Sequence, residues 1–226
     1  MAEGDSGRKL KGGRMRDIII VGAGHLGLDV RWLIDEINDV SPTWNVLGFL
    51  NDIPAELARY GVREKVLGPI KGWNTIGDEA YALAIGLPSA KEHIANMLKG
   101  KGAEFPALVS PRAHIHSTAI LDEGAIVIST SKIGPCVRVG KFAVVGDSTI
   151  SVDSKLGDYS NTASYVNIYK NIRVGKRVQL WSQSVILRDV GDDAVVGAGS
   201  VVVSPVKPNT TVFGAPARIV SVPKSE

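Results

Sequence analysis

A six-residue period runs through the C-terminal half of this chain. Anchor residues, nearly all aliphatic, fall at Ile120, Ile126, Ile133, Val139, Val145, Ile150, Leu156, Thr162, Ile168, Val174, Leu180, Ile186, Val190, Val196 and Val202. Every step from Leu156 to Ile186 is six residues. A helix repeats its buried face every 3.6 residues and a strand every two, so neither produces six. Six residues make one short strand and one tight corner, and three such units close a triangular coil whose anchors stack inward on those above and below. A small residue commonly follows the anchor, as at Gly134, Gly140, Gly146, Ser151, Gly157, Ala163, Gly175, Gly191 and Gly197. Tyr169 and Trp181 take that slot in two places, where the corner is expected to differ. The steps from Ile126 to Ile133, Val145 to Ile150 and Ile186 to Val190 are seven, five and four, which predicts local distortion of the prism.

The N-terminal half reads differently. Asp17 to Val21 is an apolar run suited to a strand buried on both faces, and it leads into Gly22-Ala23-Gly24-His25-Leu26-Gly27. Helical spacing follows from Leu28 to Ile37, a second strand from Val46 to Leu50, a third from Tyr81 to Ile85, and a helix from His93 to Leu98. Alternating strands and helices predict a small Rossmann-like parallel α/β domain over residues 16–105. Residues 1–15 read as a disordered basic leader, and residues 106–226 as the β-helix with a C-terminal tail. A strand running through a Gly-rich turn into a helix presents backbone N–H groups to a phosphate. Asp52, after the second strand, stands where an acid bonds a ribose or base.

Composition narrows the partners. A net charge of +3 with 22% charged residues is too mild to predict nucleic-acid binding. The single cysteine, Cys136, excludes an internal disulfide and cysteine-based zinc ligation. With no apolar run near ~18 residues, a membrane span is not expected and a cytoplasmic protein is.

The ordered set of Gly22-Ala23-Gly24-His25-Leu26-Gly27, Gly48-Phe49-Leu50-Asn51-Asp52, Ala84-Ile85-Gly86, the hexapeptide prism, Gly197-Ala198-Gly199-Ser200-Val201-Val202 and Gly214-Ala215-Pro216-Ala217-Arg218 resembles the bacterial sugar acyltransferases of the NeuD/PglD type. The resemblance spans about Arg16 to Val222. It implies a left-handed parallel β-helix and a homotrimer. It also implies transfer of an acyl group, commonly acetyl from acetyl-CoA, to an amine or hydroxyl of a nucleotide-linked sugar. On that basis Gly22, Gly24, His25, Gly27, Asn51, Asp52 and Gly86 are expected to bind the nucleotide-sugar. Ala198, Gly199, Lys207, Ala215, Pro216 and Arg218 are expected to bind CoA, and no metal is expected.

One departure bears on catalysis. The family carries a histidine base on the prism, in a Val-Asp-His-Asp-like segment. Here the segment is Thr149-Ile150-Ser151-Val152-Asp153-Ser154-Lys155, and that histidine aligns with Val152 or Ser154. The family's second histidine, one coil later, aligns with Asn161. His25 lies in the Gly loop, His93 on a helix, and His114 and His116 at the first turn of the prism. Asp153 is the expected substitute base, with Lys170 as an alternative charged group. A homologue that binds nucleotide-sugar or CoA without turnover is the competing expectation. With no histidine between Ser117 and Glu226, a zinc-dependent prism enzyme is disfavoured.

Overall fold

The structure, a computed structural model, describes residues 15–53 and 57–220. Most of the basic leader expected over residues 1–15 and the tail beyond residue 220 lie outside the described residues. The first part is a four-stranded parallel sheet of β1 (Arg16–Val21), β2 (Trp44–Leu50), β3 (Val66–Gly68) and β4 (Ala80–Leu83), in the order β3-β2-β1-β4. Helix α1 (His25–Val40) covers one face and α2 (Pro88–Lys99) the other. Both helices begin earlier than the apolar spacing predicts: the end of the Gly-rich stretch, from His25, already belongs to α1, and α2 starts on Pro88. Trp32, within the Leu28 to Ile37 helical spacing, is 57% exposed. The buried stripe of α1 is Gly27, Val30, Leu33 and Ile34.

From Leu108 onward the chain winds into a left-handed parallel β-helix with three faces. The first face stacks Val109, Val127, Val145, Thr162, Leu180, Val196 and Val212. The second stacks Ile115, Ile133, Ile150, Ile168, Ile186 and Val202, and the third Leu121, Val139, Leu156 and Val174. This corrects the register at its start. Ile120 is 51% exposed and Leu121 points inward. Ile126 is buried, but against the α/β domain, while Val127 enters the prism. The seven-residue step therefore disappears: Leu121, Val127 and Ile133 are six apart. The short steps after Val145 and Ile186 are real, and they shrink the coil from 18 residues (Val127 to Val145) to 17 (Val145 to Thr162) and 16 (Leu180 to Val196).

A second inward position, two residues before each anchor, was not apparent in the sequence. Serines there tie coil to coil. Ser154 Oγ donates to Tyr169 O at 2.7 Å and accepts from Ile172 N–H at 3.0 Å; Ser160 Oγ donates to Gly175 O at 2.8 Å and accepts from Val178 N–H at 2.9 Å. Ser154 and Ser160 are tolerated in this core because they complete the backbone pairing at the corners, whereas the buried Ser184 Oγ has no partner. The corners need small residues, as expected: a Cβ on Gly157 would stand 2.2 Å from Gly175 O. Three residues after the anchor the chain turns left-handed at Asp153, Tyr159, Tyr165, Asn171, Arg177 and Gln183, with φ between 54° and 62°. Each of these residues donates its N–H to the coil before, as Asp153 does to Pro135 O at 3.0 Å, which offsets the strain of that conformation. At the far end Thr211–Phe213 pairs with Arg218–Ile219 in the antiparallel sense.

The α/β domain docks on the first face. Val30, Leu33 and Ile34 of α1 share a core with Leu108, Ile126 and Val144. On the other side Phe142, itself a left-handed corner residue, packs edge-on to Phe105 at 5.1 Å and stacks on Tyr159 at 5.5 Å. Arg177 joins the two parts, with Nη1 2.9 Å from Glu92 and Nε 2.7 Å from Asp193.

Candidate functional site

Where the start of α1 meets the edge of the first face, a cleft of about 480 Å³ opens. His25, Leu26 and Asp29 line it from α1, Gly86 from the loop after β4, and Asn161, Ala163, Ser164 and Trp181 from the prism. Trp181, large in a small-residue slot, is half-exposed and forms a wall. Helix α1 begins at Gly24 with no side chain bonded to its first turn, so its N-terminal N–H groups face the region of His25. One flank of Asp29 is buried, which raises its carboxyl, and the nearby His25 offsets part of that.

Asn161 sits at the back of the cleft with both ends of its amide engaged. Its Nδ2 donates to Gly86 O at 2.7 Å, and its Oδ1 accepts from the Lys91 ammonium. Lys91 is fully buried, and its Nζ also donates to Phe142 O at 2.9 Å. Burial without a carboxylate partner pushes its pKa down from 10.5 to about 7. The unfolded chain leaves this lysine at 10.5, so between pH 7 and 10.5 it binds a proton that the folded chain does not. Stability is therefore expected to rise with pH in that window, by at most about 1.4 kcal/mol per pH unit. Melting curves from pH 7 to about 9.5 should show the rise in the parent and a flatter profile in Lys91→Met. An equal slope in both would remove Lys91 as its source.

The residues expected from sequence to bind nucleotide-sugar divide into two sets. His25 and Gly86 line the cleft, and Gly24 is open beside it. The other two glycines serve the protein's own packing: a Cβ on Gly22 would stand 2.5 Å from Ala84 O, and one on Gly27 would stand 2.2 Å from Gly22 O. Asn51 Oδ1 accepts from Ala23 N–H at 3.2 Å and holds the Gly loop. Asp52 Oδ1 accepts from Ile70 N–H at 2.8 Å, which commits one carboxylate oxygen to the turn before Trp73. Asp29, Lys91 and Trp181 are the cleft-side residues that the sequence did not assign. Lys91 carried a signal, since Pro88, Lys91, Ala95 and Leu98 form one helical stripe and a lysine in it is out of place.

The residues expected to bind CoA lie toward the far end. Ala198, Gly199, Ala215, Pro216 and Arg218 are exposed and follow the anchors Val196 and Val212, so they continue the corner column that bears Ala163 and Trp181. The Gly199 N–H is taken by Ser182 O at 2.9 Å. Arg218 extends its guanidinium to solvent with one bond, to Ala217 O at 3.2 Å. Lys207 is exposed on a different corner, after Val206 of the third face. Asp153 is also exposed, on the corner between the second and third faces, whereas the cleft borders the first. His93, His114, His116 and Lys170 are exposed outside the cleft. Among the described residues no cluster of three or more His, Cys, Asp or Glu is placed to hold a metal, and no helix is long and apolar enough to cross a membrane.

No protein-family model matches the chain. Among solved structures it is similar to the acetyltransferase domain of PglB from Neisseria gonorrhoeae FA1090 in complex with acetyl coenzyme A, with a TM-score of 0.81 and 20% identity over 92% of this chain and 100% of that one. It is also similar to a variant of GDP-perosamine N-acetyl transferase from Caulobacter crescentus in complex with CoA and GDP-perosamine, with a TM-score of 0.76 and 19% identity over 92% of this chain and 99% of that one. Among curated proteins, serine acetyltransferase from Salmonella typhimurium is 34% identical over 119 residues, 52% of this chain and 41% of that protein. The chain spans less than half the length of such curated relatives. At these identities the likeness establishes the fold, a small α/β domain followed by a hexapeptide-repeat β-helix.

Proposed function

We propose that the chain transfers an acyl group, acetyl being expected, from a coenzyme A thioester to an amine or hydroxyl of a nucleotide-linked sugar. The observation that carries this reading is the cleft at the α/β–prism junction. It gathers the helix start at His25, the Gly86 loop and Asn161, with Ala163, Ser164 and Trp181 as its prism side. The solved acetyltransferases of the same fold, one with acetyl coenzyme A and one with CoA and GDP-perosamine, support the two ligand classes.

In the reaction the acceptor's lone pair attacks the thioester carbonyl, the acyl carbon–sulfur bond breaks, and the acceptor's proton passes to a base while the departing thiolate is protonated. His25 is the imidazole in the cleft, with the Asp29 carboxylate also lining it, and an imidazole there is the group suited to take the proton. Asp153 would join it if a neighbouring protomer of a homotrimer carried that corner to the cleft, an arrangement for which the exposed Tyr165, Tyr169 and Trp181 offer apolar contact.

The competing reading, a protein that binds these ligands without turnover, is favoured by the absence of histidine from the prism beyond Ser117. Thiol release from acetyl-CoA with a panel of amino-sugar nucleotides separates the two readings: acceptor-dependent release is expected, and its absence in the presence of measured CoA binding would favour the second. Arg218→Ala is expected to weaken CoA by about 1–3 kcal/mol through loss of a charge-assisted phosphate contact. Unchanged affinity in calorimetry would remove Arg218 from the site.

A further inference from the structure

Behind Asn161 lies a buried lysine whose bonded partners, among the described residues, carry no negative charge. Lys91 is fully buried, and both groups bonded to its ammonium, Phe142 O and Asn161 Oδ1, are neutral. The charged groups on the elements packed around it are otherwise engaged. Glu92, next on α2, pairs with Arg177, which also holds Asp193; Lys99 pairs with Glu123, and Asp158 with Lys176. On the cleft side stand His25 and Asp29. Burying an unpaired charge is costly, and an apolar side chain of similar volume would avoid the cost. The lysine thus gains stabilisation from negative charge arriving nearby, and the cleft beyond Asn161 is where such charge can arrive.

We propose that the cleft takes an anionic group of a phosphate-bearing ligand, and that Lys91 is a positioning residue, acting through Asn161, whose protonation accompanies that binding. The inference rests on the nucleotide-sugar reading above. Its physical content is linkage: a ligand that favours charged Lys91 over neutral must draw a proton from solution wherever the empty protein holds the neutral form. Because Lys91 also fixes the amide that spans to Gly86, its charge and the shape of the cleft respond together. Burial lowers the lysine's pKa to about 7, so the coupling lies in an accessible range.

The test is calorimetry with UDP-N-acetylglucosamine and GDP-mannose, whose diphosphates are fully ionised throughout the range used. Titrations at pH 8 in two buffers of different ionisation enthalpy should show uptake of roughly half to one proton per ligand bound by the parent. Affinity should fall roughly five- to tenfold from pH 6.5 to pH 8.5. Lys91→Arg keeps its charge and should bind with no proton uptake and a flat pH profile, and Lys91→Met should bind weakly and without uptake. The parent measurement stands even if a variant fails to fold. Binding without proton uptake, or uptake that persists in Lys91→Arg or in a folded Lys91→Met, overturns the assignment to Lys91 and leaves the nucleotide-sugar reading intact. Absence of binding by either probe at any pH overturns both.

Discussion

Phe142→Ala is expected to lower stability by about 3–5 kcal/mol, as truncation of a fully packed aromatic does. The ring is 1% exposed and lies where the two parts of the molecule meet, between Phe105 and Tyr159. Gly124 lies so close that a Cβ there would stand 2.5 Å from the ring. The backbone at Phe142 is left-handed, with φ 55°, so the prism holds that conformation whatever the side chain, and the neighbours cannot easily collapse into the void. Urea denaturation should show a lower midpoint, and Phe142→Leu should recover part of the loss. A loss below about 1 kcal/mol would mean that the aromatic cluster does not hold the α/β domain to the prism.

His25→Asn is expected to lower kcat by roughly 10²–10⁴, the usual contribution of a general base, with little change in CoA affinity. Asparagine keeps a polar group at the helix start and removes the proton acceptor. Asp153→Asn measured in parallel assigns the role. Asparagine tolerates the left-handed corner at φ 56° as well as aspartate does, so folding should be unaffected and any kcat loss would be chemical. The larger loss is expected at His25. A loss confined to Asp153 would transfer the role to that corner and require a second protomer at the cleft.

The hexapeptide period was legible because one inward aliphatic residue per six dominates the pattern. It was misread at Ile120-Leu121 and Ile126-Val127 because each is an aliphatic doublet and the period alone cannot choose between neighbours. At Ile126 the choice was harder still, since the outward residue is also buried, by a domain whose position no local pattern encodes. The inward serines carry no local signal because their partners are backbone groups one coil away. His25 and Gly86, singled out from the Gly-rich loop and the resemblance, both line the cleft. Lys91 was missed because its relevance comes from a contact 70 residues away in sequence, at Asn161. Gly22 and Gly27 have a further cause that the loop pattern did not reveal: their spacing is demanded by the packing of strand, turn and helix.

The antiparallel pairing of Arg218–Ile219 with Thr211–Phe213 has a consequence for how the protein behaves at high concentration. A stack of parallel rungs has no inherent end, because its last strand offers the next molecule the same row of donors and acceptors that its own coils used. Left open, that row would template head-to-tail polymers. Here the chain reverses and lays a short strand of opposite polarity along the first face, and Val220 N–H closes on Thr211 O at 3.1 Å. A foreign rung arriving in the parallel sense meets a strand running the wrong way. The segment that carries Arg218 therefore ends the parallel run of the first face with a strand of opposite sense.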